Sequence, residues 1–249
     1  MRISFDSNAW GQVFRSDAHE CVAIRDAFAT QKVKGLICET AFRIEAVRKK
    51  DRAAYFAQPH METLFPWNIV QIDGKPHVRL MSIGPDDRKH PGLPKVQVAR
   101  LRAAASAGIR LMRGLAWMGL PSSGEIRDLL AFVQETESER SEREQRQTTV
   151  SAAMWERGVG KQAFDDAGGW QGINDGQLYE NKFAKACAEW ADGELVAAHI
   201  GYRNDYLCTE DHGISAGTSI FDMSNRAWLE ADYGVRFATL ADVAKMATA

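Results

Sequence analysis

The sequence predicts an α/β fold built on a central parallel sheet, with a largely helical elaboration in the middle of the chain. Three observations predict it. The first fifty residues alternate short apolar runs with amphipathic stretches, and the last seventy or so repeat that alternation. The stretch between them, from about Arg52 to about Asp175, is dominated by helical periodicity and charge. We therefore expect one domain over residues 1–249, with a mainly helical insertion at about 52–175.

The elements follow in order. Ile3 and Phe5 alternate with polar neighbours in a strand-like run that ends at Asp6. Ser16 and Asp17 stand where a helix cap belongs, and Val22, Ile24, Ala27 and Phe28 continue at helical spacing. Val33 to Cys38 reads as a second strand. Thr40 to Lys50 reads as a helix whose apolar side is Phe42, Ile44 and Val47, and whose end, Arg48-Lys49-Lys50, suits the negative pole of the helix dipole. Strand, helix, strand, helix is the opening of a parallel sheet.

The middle starts with a hairpin over Asn68–Ser82, turning at Asp73-Gly74, and a proline-rich loop up to Pro94. Val98, Leu101, Ala105, Ile109, Met112 and Ala116 then share one helical face, beside a stripe of Arg102, Arg110 and Arg113. Pro121 and the Ser122…Glu125 capping box begin another helix. It becomes highly charged from Glu135 to Arg146, with Glu139–Arg143 and Glu142–Arg146 four residues apart. Gly168, Gly169 and Gly172 mark a loop. Leu178 to Ile200 is helical, with a break expected at Gly193. Tyr206–Thr209 reads as a buried strand, Asn225–Ala231 as a helix and Val235–Ala238 as a strand, and Thr239 caps a last helix from Leu240.

Composition narrows the function. Apolar residues make up 45% of the chain and charged residues 26%, with 31 Lys and Arg against 33 Asp and Glu. That excludes a disordered or disulfide-dense chain and offers no overall basicity for nucleic acid. The opening MRISFD has no apolar core of a secretory signal, and no stretch approaches the roughly 20 apolar residues of a membrane span. The scattered Cys21, Cys38, Cys187 and Cys208 form no zinc-binding pair. A cytoplasmic protein with reduced thiols and no membrane partner is expected. Charge is nevertheless uneven. Between Ala41 and Arg113 there are 14 Lys and Arg against 6 Asp and Glu, which is either a solvated face or a phosphate-tracking surface.

Three motif matches fail. Gly213-Ile214-Ser215-Ala216-Gly217 fits a nucleophile elbow, but His212 is the last histidine, so none follows it. Gly160-Lys161 lacks the glycine and hydroxyl residue of a phosphate-binding loop, since Trp155 and Gln162 stand there. No two histidines have the spacing H-x-x-x-H.

What remains are acids at element ends. Asp6 closes the first strand in Phe5-Asp6-Ser7-Asn8, and Glu45 lies on the helix after the second. Asp192 lies on the helix before the late strand, in Asp192-Gly193-Glu194-Leu195-Val196-Ala197-Ala198, and Asp211 follows that strand in Leu207-Cys208-Thr209-Glu210-Asp211. C-terminal strand ends share one crevice in open parallel sheets, where Asp6 and Asp211 would meet. Each acid also has a structural reading. Asp6 can cap the next segment, Asp211 can make an Asx turn before Gly213, and Glu45 can pair with Lys49.

This ordered set resembles the PIN-domain nucleases. The pieces that carry it are Ile3-Ser4-Phe5-Asp6-Ser7-Asn8, the Glu45 helix, the Asp192 to Ala198 segment, the Leu207 to Asp211 turn, and Gly234 to Thr239 with its following helix. Together they cover about the first 50 and last 75 residues. The resemblance implies a three-layer α/β/α sandwich and a metal-dependent endoribonuclease, a hydrolase of phosphodiester bonds leaving a 5′-phosphate and a 3′-hydroxyl. It implies an acidic quartet, Asp6, Glu45, Asp192 and Asp211, binding Mg²⁺ or Mn²⁺, with Asn8 and Thr209 as supporting groups. Glu39 is an alternative to Glu45, and Glu194 to Asp192. Crowded carboxylates repel, and a hard cation with oxygen ligands relieves them. Arg102, Arg110 and Arg113 are the candidates for holding the nucleic-acid backbone, with RNA the expected substrate and DNA the alternative. Other readings are a catalytically inactive RNA- or protein-binding module, a toxin held by a protein antitoxin, and a small-molecule phosphatase.

Overall fold

The computed structural model describes residues 1–42, 47, 50–51, 54, 69–72, 75–78, 93–115, 129–169, 171, 180–213 and 219–248. The strands are β1 (Arg2–Phe5), β2 (Lys34–Cys38), β3 (Ile69–Ile72), β4 (Lys75–Val78), β5 (Arg110–Met112), β6 (Tyr206–Cys208) and β7 (Phe237–Ala238). The helices are α1 (Ser7–Val13), α2 (His19–Ala29), α3 (Lys95–Ser106), α4 (Glu137–Glu156), α5 (Lys161–Asp166), α6 (Glu180–Gly201), α7 (Met223–Tyr233) and α8 (Leu240–Thr248).

Five strands form an all-parallel sheet in the order β5-β2-β1-β6-β7. Phe5 pairs with Ile37 on one side and Cys208 on the other, so the strand ends are level. The chain winds outward from β1 toward β5, then returns to β6 on the other flank of β1. The reversal between β1 and β6 is the topological switch point, where side chains from two loops diverge and leave a crevice.

Both faces of the sheet are buried, as parallel strands require. Ile3, Phe5 and Ile37 pack on one side with Trp10 and Val13 of α1, Ile24 and Phe28 of α2, and Val243 of α8. Leu36, Cys38, Met112 and Leu207 pack on the other with Val150 and Met154 of α4 and Leu195 and Val196 of α6. Between these apolar patches Ser4 faces α6. Its hydroxyl lies 3.0 Å from His199 Nδ1 and accepts a 2.8 Å hydrogen bond from the Asn204 amide. Among the described residues no helix is long and apolar enough to cross a membrane.

Several sequence expectations are corrected. α1 starts directly after Asp6, well before the Ser16 cap, and α2 starts at His19 with Ser16 Oγ accepting from the Ala18 N–H. The long arginine-striped helix ends at Ser106. Gly108 takes a left-handed turn at φ +82°, and Arg110–Met112 become strand instead, with Leu111 and Met112 buried. Arg102, Arg110 and Arg113 therefore do not share one helix. The middle segment supplies an edge strand of the main sheet, and Phe132 bridges that edge at Leu111. α6 runs unbroken through Gly193, which faces Met154 of α4; an added Cβ would lie 4.0 Å from Met154 Cε, in ordinary contact. Arg143 is fully buried and pairs with Glu135 at 2.8 Å and Gln147 at 2.6 Å, while Glu139 turns back to cap Thr136. The Glu142–Arg146 pair forms at 3.3 Å.

The β3–β4 hairpin has the expected antiparallel pairing, with Ile72 opposite Lys75. Its turn residues Asp73 and Gly74 lie outside the described residues, as do Ser122, Glu125 and Gly172.

Candidate functional site

Asp6 is the last residue before α1 and caps it. The Ser7 N–H donates to Asp6 Oδ1 at 2.5 Å, and the Asp6 N–H donates to the Cys208 carbonyl at 2.9 Å. The extended backbone of Asp6 joins the end of β1 directly to the first helical turn. The residue is only 3% exposed. Its second oxygen, Oδ2, accepts a 2.9 Å hydrogen bond from the hydroxyl of Thr209, just past β6. Thr209 Oγ1 in turn accepts from the Asp211 N–H at 3.0 Å.

Asp211 makes the Asx turn: Gly213 N–H donates to its Oδ1 at 2.7 Å. Gly213 holds φ +65° against residues 221–222, where a Cβ would lie 2.5 Å from the Asp222 nitrogen. The Arg226 guanidinium donates to the Asp211 carbonyl, which anchors the turn from α7. Glu210 is used elsewhere, accepting from Leu240 N–H at 2.7 Å at the start of α8. The turn geometry thus leaves Asp211, not Glu210, on the side of Asp6.

Electrostatics agree with that placement. Burial pushes the Asp6 carboxyl above the ordinary carboxylate range and the Asp211 charge adds to it, while Thr209 and Ser7 pull it partly back. Asp192 lines a small open cleft together with Phe5, Asp6, Ser7, Cys38, Ala41, Ala191 and Leu195. Asp6 is therefore approached by Asp211 from the β6 turn and by Asp192 from α6.

Glu45 lies outside the described residues, and so does Lys49. Glu39 and Glu194 gather beyond the ends of β2 and β5. The Gly114 N–H donates to Glu39 Oε1 at 3.0 Å, and a Cβ on Gly114 would lie 2.5 Å from Glu194 Oε2. Asn8 is exposed on the first turn of α1. Arg102 is exposed on α3, Arg110 is exposed at the start of β5, and Arg113 lies just past β5 with its guanidinium 4.1 Å from the Phe132 ring centre.

The four cysteines are buried and free. Burial lifts the Cys38 thiol to about 12 and raises that of Cys208 further, so both are inert as nucleophiles. One acid escaped the sequence reading. Glu189 sits one turn before Asp192 on α6 and carries a carboxyl that feels the Asp211 charge. Its i,i+3 spacing from Asp192 was the available signal.

Apart from the buried Cys38 thiol, held protonated by burial, the polar side chains described around this crevice offer oxygen, which is the chemistry of a hard divalent cation. Among the described residues no three Asp, Glu, His or Cys side chains stand close enough to hold a metal by themselves. Mg²⁺ needs fewer, since it keeps several waters and binds through one or two carboxylates plus substrate phosphates. A buried Asp6 raised by burial and by a neighbouring carboxylate fits such an ion. Comparison with family models, with curated proteins and with solved structures finds no match to this chain.

Proposed function

We propose that this chain is a PIN-like three-layer nuclease that hydrolyses phosphodiester bonds with Mg²⁺ or Mn²⁺, RNA being its first substrate. The observation that carries the reading is the Asp6–Thr209–Asp211 linkage at the switch point between β1 and β6. Ligands of open parallel sheets bind at that crevice, and here it is walled by carboxylates rather than by a glycine-rich anion cradle.

Asp6 would bind the cation directly, with Asp192 and Asp211 reaching it through its waters and Glu45 the fourth acid of the proposal. Bound there, the ion would supply an activated water and offset charge at the leaving oxygen. The chain's own residues do the positioning. Thr209 fixes the Asp6 carboxylate plane and the start of the Asp211 turn together. Burial of Asp6 keeps bulk water from competing for its oxygens. The exposed Arg113 near this end of the sheet offers a charge-assisted contact for a backbone phosphate, and Arg102 and Arg110 extend the basic face. Free, buried thiols support the expectation of a cytoplasmic setting.

The test is cleavage of labelled single-stranded and hairpin RNA with added Mn²⁺ or Mg²⁺. Cleavage is expected from the parent chain and lost in Asp6→Asn and Asp211→Asn. Variants that cut as fast as the parent overturn the assignment. Retained RNA binding with no turnover and no divalent-ion binding at millimolar concentration selects the inactive module instead.

A further inference from the structure

The strands of the main sheet are all parallel, so their starting residues share one rim, on the far side of the sheet from the Asp6 crevice. Each strand starts at a cation or within three residues of one. Arg2 opens β1, Lys34 opens β2 and Arg110 opens β5, while Arg203 precedes β6 and Arg236 precedes β7. Arg2 stands opposite Lys34 in the register, and Arg110 stands opposite Leu36, further along β2. At ordinary strand spacing the row extends over about 19 Å. Asp205, just before β6, is the acid among these strand starts, and it is engaged. Its Oδ2 accepts from the Arg2 N–H at 2.7 Å, and its Oδ1 lies 3.9 Å from Arg236.

Helix ends do not account for the row. Helices that connect parallel strands end at this rim, where cations offset their negative poles. Other groups do that work here. Lys32 Nζ donates to the Ala247 carbonyl of α8 at 3.3 Å, and Arg146 donates to the Gly201 carbonyl of α6 at 2.8 and 3.0 Å. The side chains of Arg2, Lys34, Arg110 and Arg203 make no hydrogen bond or ion pair among the described residues, and all but the half-buried Arg2 are exposed. Arg203 also holds φ +52°, in a left-handed turn between α6 and β6 that glycine or asparagine takes at less cost. An exposed cation kept in a backbone conformation that disfavours it points to a use outside the fold.

We propose that this rim, through Arg2, Lys34, Arg110 and Arg203, binds the phosphate backbone of a nucleic-acid strand. It lies at the opposite end of the strands from the carboxylates, so it does not rest on the nuclease reading. Arginine forks grip phosphate oxygens two at a time, and a row of cations suits a ligand whose charges repeat along a chain. A protein partner would need apolar or aromatic anchors. The exposed large apolar residues among those described are Val22, Val96, Trp155 and Met223, and none of them lies at a strand start. Nucleic-acid interfaces are instead polar and strongly positive, as this rim is.

The experiment is fluorescence anisotropy of a labelled single-stranded RNA with the full chain in EDTA, so that no strand is cut. The parent is expected to bind. Lys34→Gln with Arg203→Gly should weaken binding by about tenfold or more, and should flatten the slope of log K against log salt by about 0.7 for each lost contact. Arg203→Gly by itself should keep or raise the thermal midpoint. Arg15→Gln with Lys161→Gln removes the same charge from exposed positions elsewhere and should bind as the parent does. Should the double rim variant not fold, Lys34→Gln alone is read by the same criteria. Parent-like binding by the rim variant overturns the inference, and so does equal weakening by the Arg15 and Lys161 pair. No binding by the parent at low salt also overturns it. Poly-glutamate that displaces the RNA as readily as unlabelled RNA of equal charge overturns the choice of nucleic acid in favour of an acidic protein. Rim-dependent binding without cleavage in Mn²⁺ supports this surface and removes the nuclease. Cleavage with parent-like binding by the rim variant removes this surface and leaves the nuclease reading standing.

Discussion

The Thr209 hydroxyl donates a 2.9 Å hydrogen bond to Asp6 Oδ2, across 203 residues of sequence. Thr209 Oγ1 in turn accepts from the Asp211 N–H, so one buried hydroxyl ties the Asp6 carboxylate to the backbone of Asp211. This small bridge is set where β1 and β6 end side by side.

Asp6 is asked to do two jobs, capping α1 and carrying charge in a buried place, and substitutions separate them. Asp6→Asn keeps an oxygen for the Ser7 N–H and removes the buried charge. Its thermal midpoint in metal-free buffer at pH 8 should equal or exceed the parent's. Asp6→Ala also loses the cap and should cost about 1 kcal/mol. Both should lose RNA cleavage by on the order of 100-fold or more. Urea unfolding beside a cleavage assay checks the pair, and an Asn variant less stable than the Ala variant would contradict the assignment of the cap.

Thr209→Val removes the bridge without changing shape. It leaves Asp6 Oδ2 and the Asp211 N–H without their shared partner, at a cost of about 1–3 kcal/mol in a buried site. Cleavage should fall by roughly 10- to 100-fold through loss of orientation. Thr209→Ser keeps the hydroxyl and should recover most of the activity. If Ser and Val behave alike, the hydroxyl is not what positions Asp6.

His199 links stability to pH. The ring is 3% exposed against Ser4, and burial, with some repulsion from Arg236, lowers its pKa from 6.5 to about 4, while Asp205 opposes weakly. Between those values the unfolded chain takes up a proton that the folded chain refuses. The neutral histidine's contribution is complete above pH 6.5 and is lost as pH falls toward 4, by at most about 3 kcal/mol. Denaturant unfolding from pH 8 to 4 should show a steeper loss for the parent than for His199→Gln. Equal slopes would mean that the ring is charged inside the fold.

Arg143 and Glu135 form an ion pair sealed under Tyr202, whose ring centre is 5.1 Å from the guanidinium. Glu135→Ala leaves the buried cation with Gln147 and its grazing 3.5 Å contact to Glu144, and should destabilise the chain by about 3 kcal/mol. Arg143→Met removes the charge and keeps the volume, so it should cost less. The order of the two variants in chemical denaturation is the observable. The site lies at the far end of α6, so the midpoint should move more than cleavage measured well below it.

Sequence alone determined the ends of the chain. Strand β1, strand β2 and the last strand and helix are readable because apolar alternation and capping residues act over a few positions. Asp6 and Asp211 were legible for the same reason, as acids just past strand ends, and both also took the local roles open to them, cap and Asx turn. Tertiary structure decided the rest. The strand order placed β6 beside β1, which turned two separate acids into neighbours. α6 packs along α4 and runs straight through Gly193, and pairing with β2 made Arg110 to Met112 a strand despite helical spacing. Arg143 chose Glu135 over Glu139 because the helix cap had already engaged Glu139. The orphaned oxygen of Glu189 was invisible in sequence, since burial without a partner is a property of what surrounds a residue, and those surroundings come from three distant segments of chain, at Gly160, Asp211 and Ser219–Asp222.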